Sequence, residues 1–235
     1  MHQSAHDQMA RLVATYLRPE GHYRVVDIGS RTSGRQTMTH RDLFAECDCT
    51  FIGVDIAPGR NVDRVMKKPY RLPMRSGSAD VVISGQAFEH IPFPWASMLE
   101  IARVLKPNGL VLLTAPSRGH VHTTVDCWRY YPDGMKALAA FAGLTVLEVS
   151  TDFPPTTGKR RHDYRAIDTA YRYWGDTVAV FQKPADYPRM LAVVRRVVVS
   201  WGNRAGPVGE KPTIQQWAAR LPRRAARSLG DRLRA

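Results

Sequence analysis

Two hydrophobic periods alternate along the chain. Met9, Leu12, Val13, Tyr16 and Leu17 recur at helical spacing, and Pro19-Glu20-Gly21 ends that run. Arg24–Ile28 is a short apolar run of the kind a buried strand makes, and a turn-rich stretch, Gly29–Gly34, follows it. A polar helix is expected over Gln36–Glu46. Thr50–Val54 reads as a second strand ending at Asp55, with a third near Asp63–Met66 and a fourth at Asp80–Ser84. Trp95, Met98, Leu99, Ala102 and Leu105 share one helical face, which Pro107-Asn108-Gly109 stops. Leu110–Thr114 is a fifth strand. Met135–Ala142 is a helix opened by Pro132-Asp133 and closed by Gly143, and Leu144–Val149 and Asp176–Phe181 are two further strands. Strands alternating with helices predict a doubly wound α/β fold, a mainly parallel sheet covered on both faces. Such sheets bind ligands beyond the carboxyl ends of their strands, where the strand order reverses. The loops after Ile28, Val54, Ser84 and Thr114 are therefore the ones that matter.

Beyond Pro184 the pattern changes. Leu191–Trp201 fits an apolar helix or strand, Gly202–Pro212 reads as a linker, and Ile214–Leu233 as an arginine-rich amphipathic helix interrupted at Pro222. The expected division is one domain over residues 1–185 and a basic C-terminal helical extension over 186–235. Charge agrees with that division. The chain of 235 residues has a net charge of +13, yet residues 186–235 hold 11 basic and 3 acidic side chains. With the excess concentrated in the tail, nucleic acid is not the expected main partner. The tail suits peripheral contact with an anionic membrane surface, packing on its own domain, or a homodimer. The N-terminal stretch has no apolar signal core, so a cytoplasmic protein is expected. Cys47, Cys49 and Cys127 cannot make a disulfide framework, and Cys47 and Cys49 are read as ordinary thiols.

The strongest chemical signal is the succession Val25-Val26-Asp27-Ile28-Gly29-Ser30, then Phe51-Ile52-Gly53-Val54-Asp55. A strand runs into a glycine turn, and a second strand ends in a carboxylate that can accept two hydrogen bonds from a ribose diol. A tight turn at Gly29 and a turn cap at Asp55 would explain the same residues without a ligand. Three ligand classes compete. Gly29-Ser30-Arg31-Thr32-Ser33-Gly34 lacks the second glycine of a dinucleotide loop. It keeps the glycine spacing of a P-loop, but Arg35 and Gln36 stand where lysine and a hydroxyl are required. S-adenosylmethionine, without phosphates, tolerates the looser loop.

A family resemblance separates these options. Leu72-Pro73-Met74-Arg75-Ser76-Gly77-Ser78-Ala79-Asp80-Val81-Val82-Ile83-Ser84, then Phe88-Glu89-His90-Ile91, then Glu100-Ile101-Ala102-Arg103-Val104-Leu105-Lys106-Pro107-Asn108-Gly109 resemble, in this order and spacing, segments of class I S-adenosylmethionine-dependent methyltransferases of the type 11 group. The resemblance spans about residues 24–150. It implies a Rossmann-like, seven-stranded sheet with an antiparallel last strand, and a methyltransferase activity. It also implies that Asp27, Gly29 and Ser30 line the amino-acid end of the cofactor, that Asp55 holds its ribose with Ile56 against the adenine, that the segment containing Tyr70 borders the adenine, and that Gly85 and Gln86 pass near the methionine moiety. Arg31, Lys68 and Ser76 depart from the family pattern.

The acceptor side is sought in the loop after the fifth strand, Ser117–Tyr131. A hydroxyl acceptor needs its proton removed, a task for histidine. His122 oriented by Asp126 is the first candidate base, with His120 beside it. Glu89 and His90, just past the fourth strand, are the second. Glu89, His90, His122 and Asp126 together would also suffice for a divalent cation such as Mg2+. Trp128, Arg129 and Tyr130 are candidates for contact with a sugar or aromatic ring. The run Asp126–Pro132 resembles segments of bacterial methyltransferases that act on saccharides and glycolipids, and with the arginine-rich composition it points to an actinobacterial sugar O-methyltransferase, one acting on a mannoside of methylmannose polysaccharide included. Methylation of another small molecule or of RNA, and a non-catalytic cofactor-binding module, are the alternatives. The Asn-Pro-Pro-Tyr-like signature of base N-methylation is absent after the fourth strand. Asp152–Trp174 is read as a lid or a surface loop.

Overall fold

The computed structural model describes residues 3–32, 34, 36–119, 121, 123, 125–151 and 175–205. Helix α1 (Gln3–Tyr16) precedes strand β1 (Tyr23–Ile28). Strands β2 (Cys49–Asp55), β3 (Arg64–Val65) and β4 (Ala79–Gly85) follow, then helix α2 (Pro94–Val104), β5 (Leu105–Arg118), α3 (Pro132–Phe141), β6 (Thr145–Thr151), β7 (Gly175–Gln182) and α4 (Met190–Ala205). The strands form one seven-stranded sheet in the order β3-β2-β1-β4-β5-β7-β6. Pairings from β3 to β5 are parallel, and β7 runs antiparallel to both of its neighbours. The chain leaves β1 toward β2 on one side and enters β4 on the other, so strand order reverses at β1.

Alternation along each strand sends side chains to two separate layers. Val26, Val82, Val111, Leu113 and Phe181 pack under α2 and α3. Val25, Val81, Ile83, Leu112 and Val180 pack under α1 with Met9 and Leu12. The near-continuous apolar strands follow from burial on both faces.

One polar network ties the helices on the first face to the ligand edge. Glu100 of α2 is fully buried. Its carboxylate accepts from Arg103 at 2.7 to 3.0 Å, from Arg71 at 3.1 Å, from Arg195 of α4 at 2.7 Å and from the Leu72 N–H at 3.2 Å. Arg103 also donates to the carbonyls of Leu72 and Met74. The two ends of the Glu-x-x-Arg motif thus grip the Leu-Pro-Met segment at both its N–H and its carbonyls. Burial raises the Glu100 pKa, but the hydrogen bond and charge of Arg103, with Arg71 and Arg195, hold it below the usual carboxylate range.

Several expectations need correction. The polar helix over Gln36–Glu46 is a single 3-10 turn, His40–Phe44. The backbone N–H and hydroxyl of Thr39 donate to the Asp42 carboxylate at 2.8 and 3.0 Å, which starts the turn late, with Thr39 itself extended. Cys47 and Cys49 are not free thiols but are joined by a disulfide. The Cys49 N–H donates to the Cys47 carbonyl at 2.7 Å, a tight turn that brings their Cα atoms to 5.2 Å. The ambiguous run Leu191–Trp201 is helical, and α4 continues through Gly202–Ala205, the start of the expected linker. Gly202 lies against the Tyr70 ring, and Asn203 accepts from the Tyr70 N–H at 3.0 Å, so the helix is held to its end by the domain. The expected lid and the amphipathic tail helix lie outside the described residues. No described helix is long and apolar enough to cross a membrane.

Removing a single partner from a buried ionic network leaves unpaired charge behind. Glu100→Ala is expected to cost about 3–5 kcal/mol in urea unfolding. Arg71→Ala, where the side chain is half exposed, is expected to cost less than about 1 kcal/mol.

Candidate active site

A cavity of about 790 Å3 opens beyond the carboxyl ends of β1, β2 and β4. Its glycine-loop wall is built by close backbone approach. Gly29 has φ +77, and a Cβ there would stand 2.4 Å from the Ala87 side chain, so only glycine fits. The N–H groups of Gly29 and Ser30 turn back to the Val54 carbonyl. Asn61 donates to the Ser30 carbonyl at 2.9 Å and fastens this loop to the segment after β2. On β2, Asp55 accepts from the Ala57 and Arg31 N–H groups at 3.1 and 3.2 Å. The carboxylate is therefore a turn cap, and with about four lone-pair sites it keeps acceptor capacity toward the cavity. Ile56 beside it is 65% exposed, an apolar shelf on the cavity wall.

At the end of β4, Gln86 adopts φ +57, a left-handed conformation that is costly for a residue with a side chain. It is held there by its N–H to the Thr114 carbonyl at 3.0 Å and by its side-chain amide to Asp176 at 3.1 Å. Asp27, Gly29, Ser30, Asp55, Ile56, Tyr70, Gly85 and Gln86 all line this one cavity. Glu89 and His90 line its other side.

The loop after β5 lies across the loop after β4. The N–H groups of Cys127 and Trp128 donate to the Glu89 carbonyl at 2.7 and 3.2 Å. The Trp128 indole donates to the Ile91 carbonyl, the Tyr130 hydroxyl to the Phe88 carbonyl, and His90 Nδ1 meets the Val125 carbonyl at 2.7 Å. The two candidate catalytic regions are thereby brought together. Glu89 is 1% exposed, with one carboxyl oxygen 3.4 Å from His90 Nε2 and the other without a hydrogen-bond partner among the described residues. Burial pushes its pKa from the ordinary 4.5 up to about 7, and the Asp126 and Asp176 carboxylates add to the rise.

Not every candidate faces the cavity. Tyr130 was expected against a substrate ring, but it is 5% exposed and belongs to the core under α2 and α3. Its ring is apolar and its hydroxyl already has a partner, so burial is its stable place. Arg129 forms a bidentate pair with Asp126 at 2.6 and 2.8 Å and also donates to the Gly119 carbonyl. It shapes the loop and does not line the cavity. The Asp126 side chain is 1% exposed in that pair. Trp128, 37% exposed, stands outside the cavity lining with its ring near Trp95. His120 and His122 lie outside the described residues, and so does any pairing of His122 with Asp126. Among the described residues no group of three His, Cys, Asp or Glu side chains gathers as a metal site. His40, which the sequence pattern did not single out, lines the cavity and meets Asp27 at 3.1 Å.

The comparisons with known proteins agree with this architecture. Residues 26–113 match the family model described as a methyltransferase domain. The matched stretch, less than half of the chain, is similar to that domain. An uncharacterized methyltransferase of Mycobacterium bovis (strain BCG / Pasteur 1173P2) is 29% identical over 124 residues, covering 46% of this chain and 47% of the relative. The chain thus matches about half the length of that relative. Among solved structures, Haemonchus contortus phosphoethanolamine N-methyltransferase 2 in complex with S-adenosyl-L-methionine superposes with TM-score 0.53 at 16% identity, over 76% of this chain and 52% of that one. The [4+2]-cyclase SpnF superposes with TM-score 0.56 at 18% identity, over 76% and 80%. These likenesses establish the class I methyltransferase fold. SpnF, a cyclase by name, shows that chemistry on it must be argued from the site.

The family match ends at Leu113, before the loop that covers Glu89. Because the folded state holds the Glu89 proton more tightly than the unfolded chain, the contribution of this group to stability is fully present below about pH 4.5 and is lost as pH rises through about 7. At 1.36 kcal/mol per pH unit that loss comes to about 3 kcal/mol. Glu89→Gln abolishes the titration, so its melting temperature should rise relative to wild type between pH 5 and pH 8.

Proposed function

We propose that this chain is an S-adenosylmethionine-dependent O-methyltransferase acting on a hydroxyl of a saccharide or glycolipid. The observation that carries the reading is one cavity lined by a glycine bend, a strand-end carboxylate and, opposite them, a buried carboxyl with an unpartnered oxygen. The cofactor fits the donor set. Asp27 and the Gly29–Ser30 loop suit its amino-acid end, Asp55 its ribose diol, and Ile56 and Tyr70 the faces of its adenine. When bound, S-adenosylmethionine supplies an electrophilic methyl group.

The remaining chemistry belongs to the chain. Glu89, with a pKa of about 7, is balanced between holding and accepting a proton near neutrality, the condition a general base needs. Its free oxygen accepts the proton of the acceptor hydroxyl, while His90, whose Nδ1–H donates to the Val125 carbonyl, stands 3.4 Å from the other. His122, with His120, is the competing base. A cation is not needed to neutralise Asp126, because Arg129 already does so. Aromatic rings next to the site suit the apolar face of a sugar: Tyr70 and Phe93 are 5.6 Å apart, Phe93 and Trp95 5.8 Å, Trp95 and Trp128 6.1 Å. A groove of about 480 Å3 lined by Trp95, Leu138, Phe141, Val197 and Trp201 continues from that row and suits the lipid part of a glycolipid.

S-adenosylhomocysteine should bind in calorimetry, and labelled methyl should pass to members of a panel of mono- and oligosaccharides and glycolipids, with the rate unchanged by EDTA. Glu89→Gln should lower kcat about 10²- to 10⁴-fold with cofactor affinity intact. Full activity in Glu89→Gln with loss in His122→Ala would move the base to His122. Binding of a nucleoside triphosphate or a nicotinamide compound in place of S-adenosylhomocysteine would overturn the whole reading.

A further inference from the structure

His40 is buried, and its Nδ1 lies 3.1 Å from Asp27 Oδ1, with the Asp27 side chain buried as well. A carboxylate has no proton to give, so Nδ1 carries the hydrogen of this bond. Among the described residues Nε2 has no hydrogen-bond partner. A proton there would leave a buried donor unsatisfied, whereas a neutral ring leaves only a lone pair, so the geometry selects the Nδ1–H tautomer. The ring reaches this place because β4 ends in glycine: a Cβ on Gly85 would stand 2.5 and 2.6 Å from His40 Cε1 and Nε2. Thr114 Oγ1, also buried without a partner, lies 3.1 Å from the same point.

This arrangement is a poor way to make a core. A buried polar pair with two unpartnered atoms beside it is less stable than an aliphatic side chain of the same volume. Both residues line the cavity at the loop read above as the cofactor's amino-acid end. That end carries an ammonium group, for which a carboxylate is the natural partner.

We infer that His40 is a positioning residue: seated under Gly85, it holds one oxygen of Asp27 and so orients the carboxylate to receive the ammonium of the cofactor's amino-acid moiety. The inference rests on the cofactor reading proposed above. His40 fixes the Asp27 rotamer before the ligand arrives, which lowers the cost of ordering it on binding.

Calorimetry with two ligands tests this. S-adenosylhomocysteine has the amino-acid group, and 5′-methylthioadenosine keeps the nucleoside but lacks it. His40→Leu should weaken S-adenosylhomocysteine about 10- to 100-fold, the loss expected for a charge-assisted hydrogen bond, and leave methylthioadenosine within about twofold. His40→Asn, whose amide N–H stands near the place of Nδ1–H, should recover most of that loss, and it carries the test if His40→Leu does not fold. A parallel loss for both ligands, or no loss for either, overturns the inference while leaving the cofactor reading intact. A wild-type protein that binds neither ligand overturns both.

Discussion

The burial of one carboxylate among three guanidinium groups organises the ligand edge of this domain. Arg103 chiefly, with Arg71 and Arg195, keeps Glu100 charged in an apolar layer, and these contacts bring two other segments to it. Arg103 brings the Leu72–Met74 backbone, which leads back to Tyr70 on the cavity wall. Arg195 brings α4, whose far end covers Tyr70 through Gly202 and Asn203. One ionic cluster therefore sets the wall of the cavity and attaches α4 to it.

Three further carboxylates lie close to the sheet's carboxyl edge under different compensation, and their roles divide accordingly. Asp126 is neutralised by Arg129 and becomes part of the loop's framework. Asp27 is paired, among the described residues, with the imidazole of His40. Among the described residues the nearest nitrogen that could carry charge beside Glu89 is His90 Nε2 at 3.4 Å, and burial lifts the Glu89 pKa to about 7. Compensation marks structure, and its lack marks chemistry, since a buried acid without a counter-charge is kept at a cost in stability. The left-handed Gln86, wedged between Thr114 and Asp176 at the same edge, is a second such cost.

How far the chain itself disclosed this depends on the range of the interaction. The strands, α1, α2 and α3 were legible because each depends on local periodicity and on Pro or Gly at its ends. The glycine bend and Asp55 were legible because a turn and a strand end are local events. The 3-10 turn at His40–Phe44 was not, because the Thr39–Asp42 cap competes with helix propensity over a few residues and wins. Trp128, Arg129 and Tyr130 looked like one substrate-facing cluster, yet their alternate directions across the Glu89–Ile91 segment send Tyr130 inward and pair Arg129 with Asp126.

By itself the sequence determined the class of fold, the succession of elements and the family resemblance of residues 24–150, since all three are carried by spacing along the chain. Only the tertiary structure decided that Glu89 is the uncompensated carboxyl, that His40 belongs to Asp27, and that Glu100 joins α4 to the Leu72 segment. Those pairings link positions 13 to 95 residues apart. Their energies depend on burial and on what stands opposite, quantities that exist only once the sheet has closed its two layers.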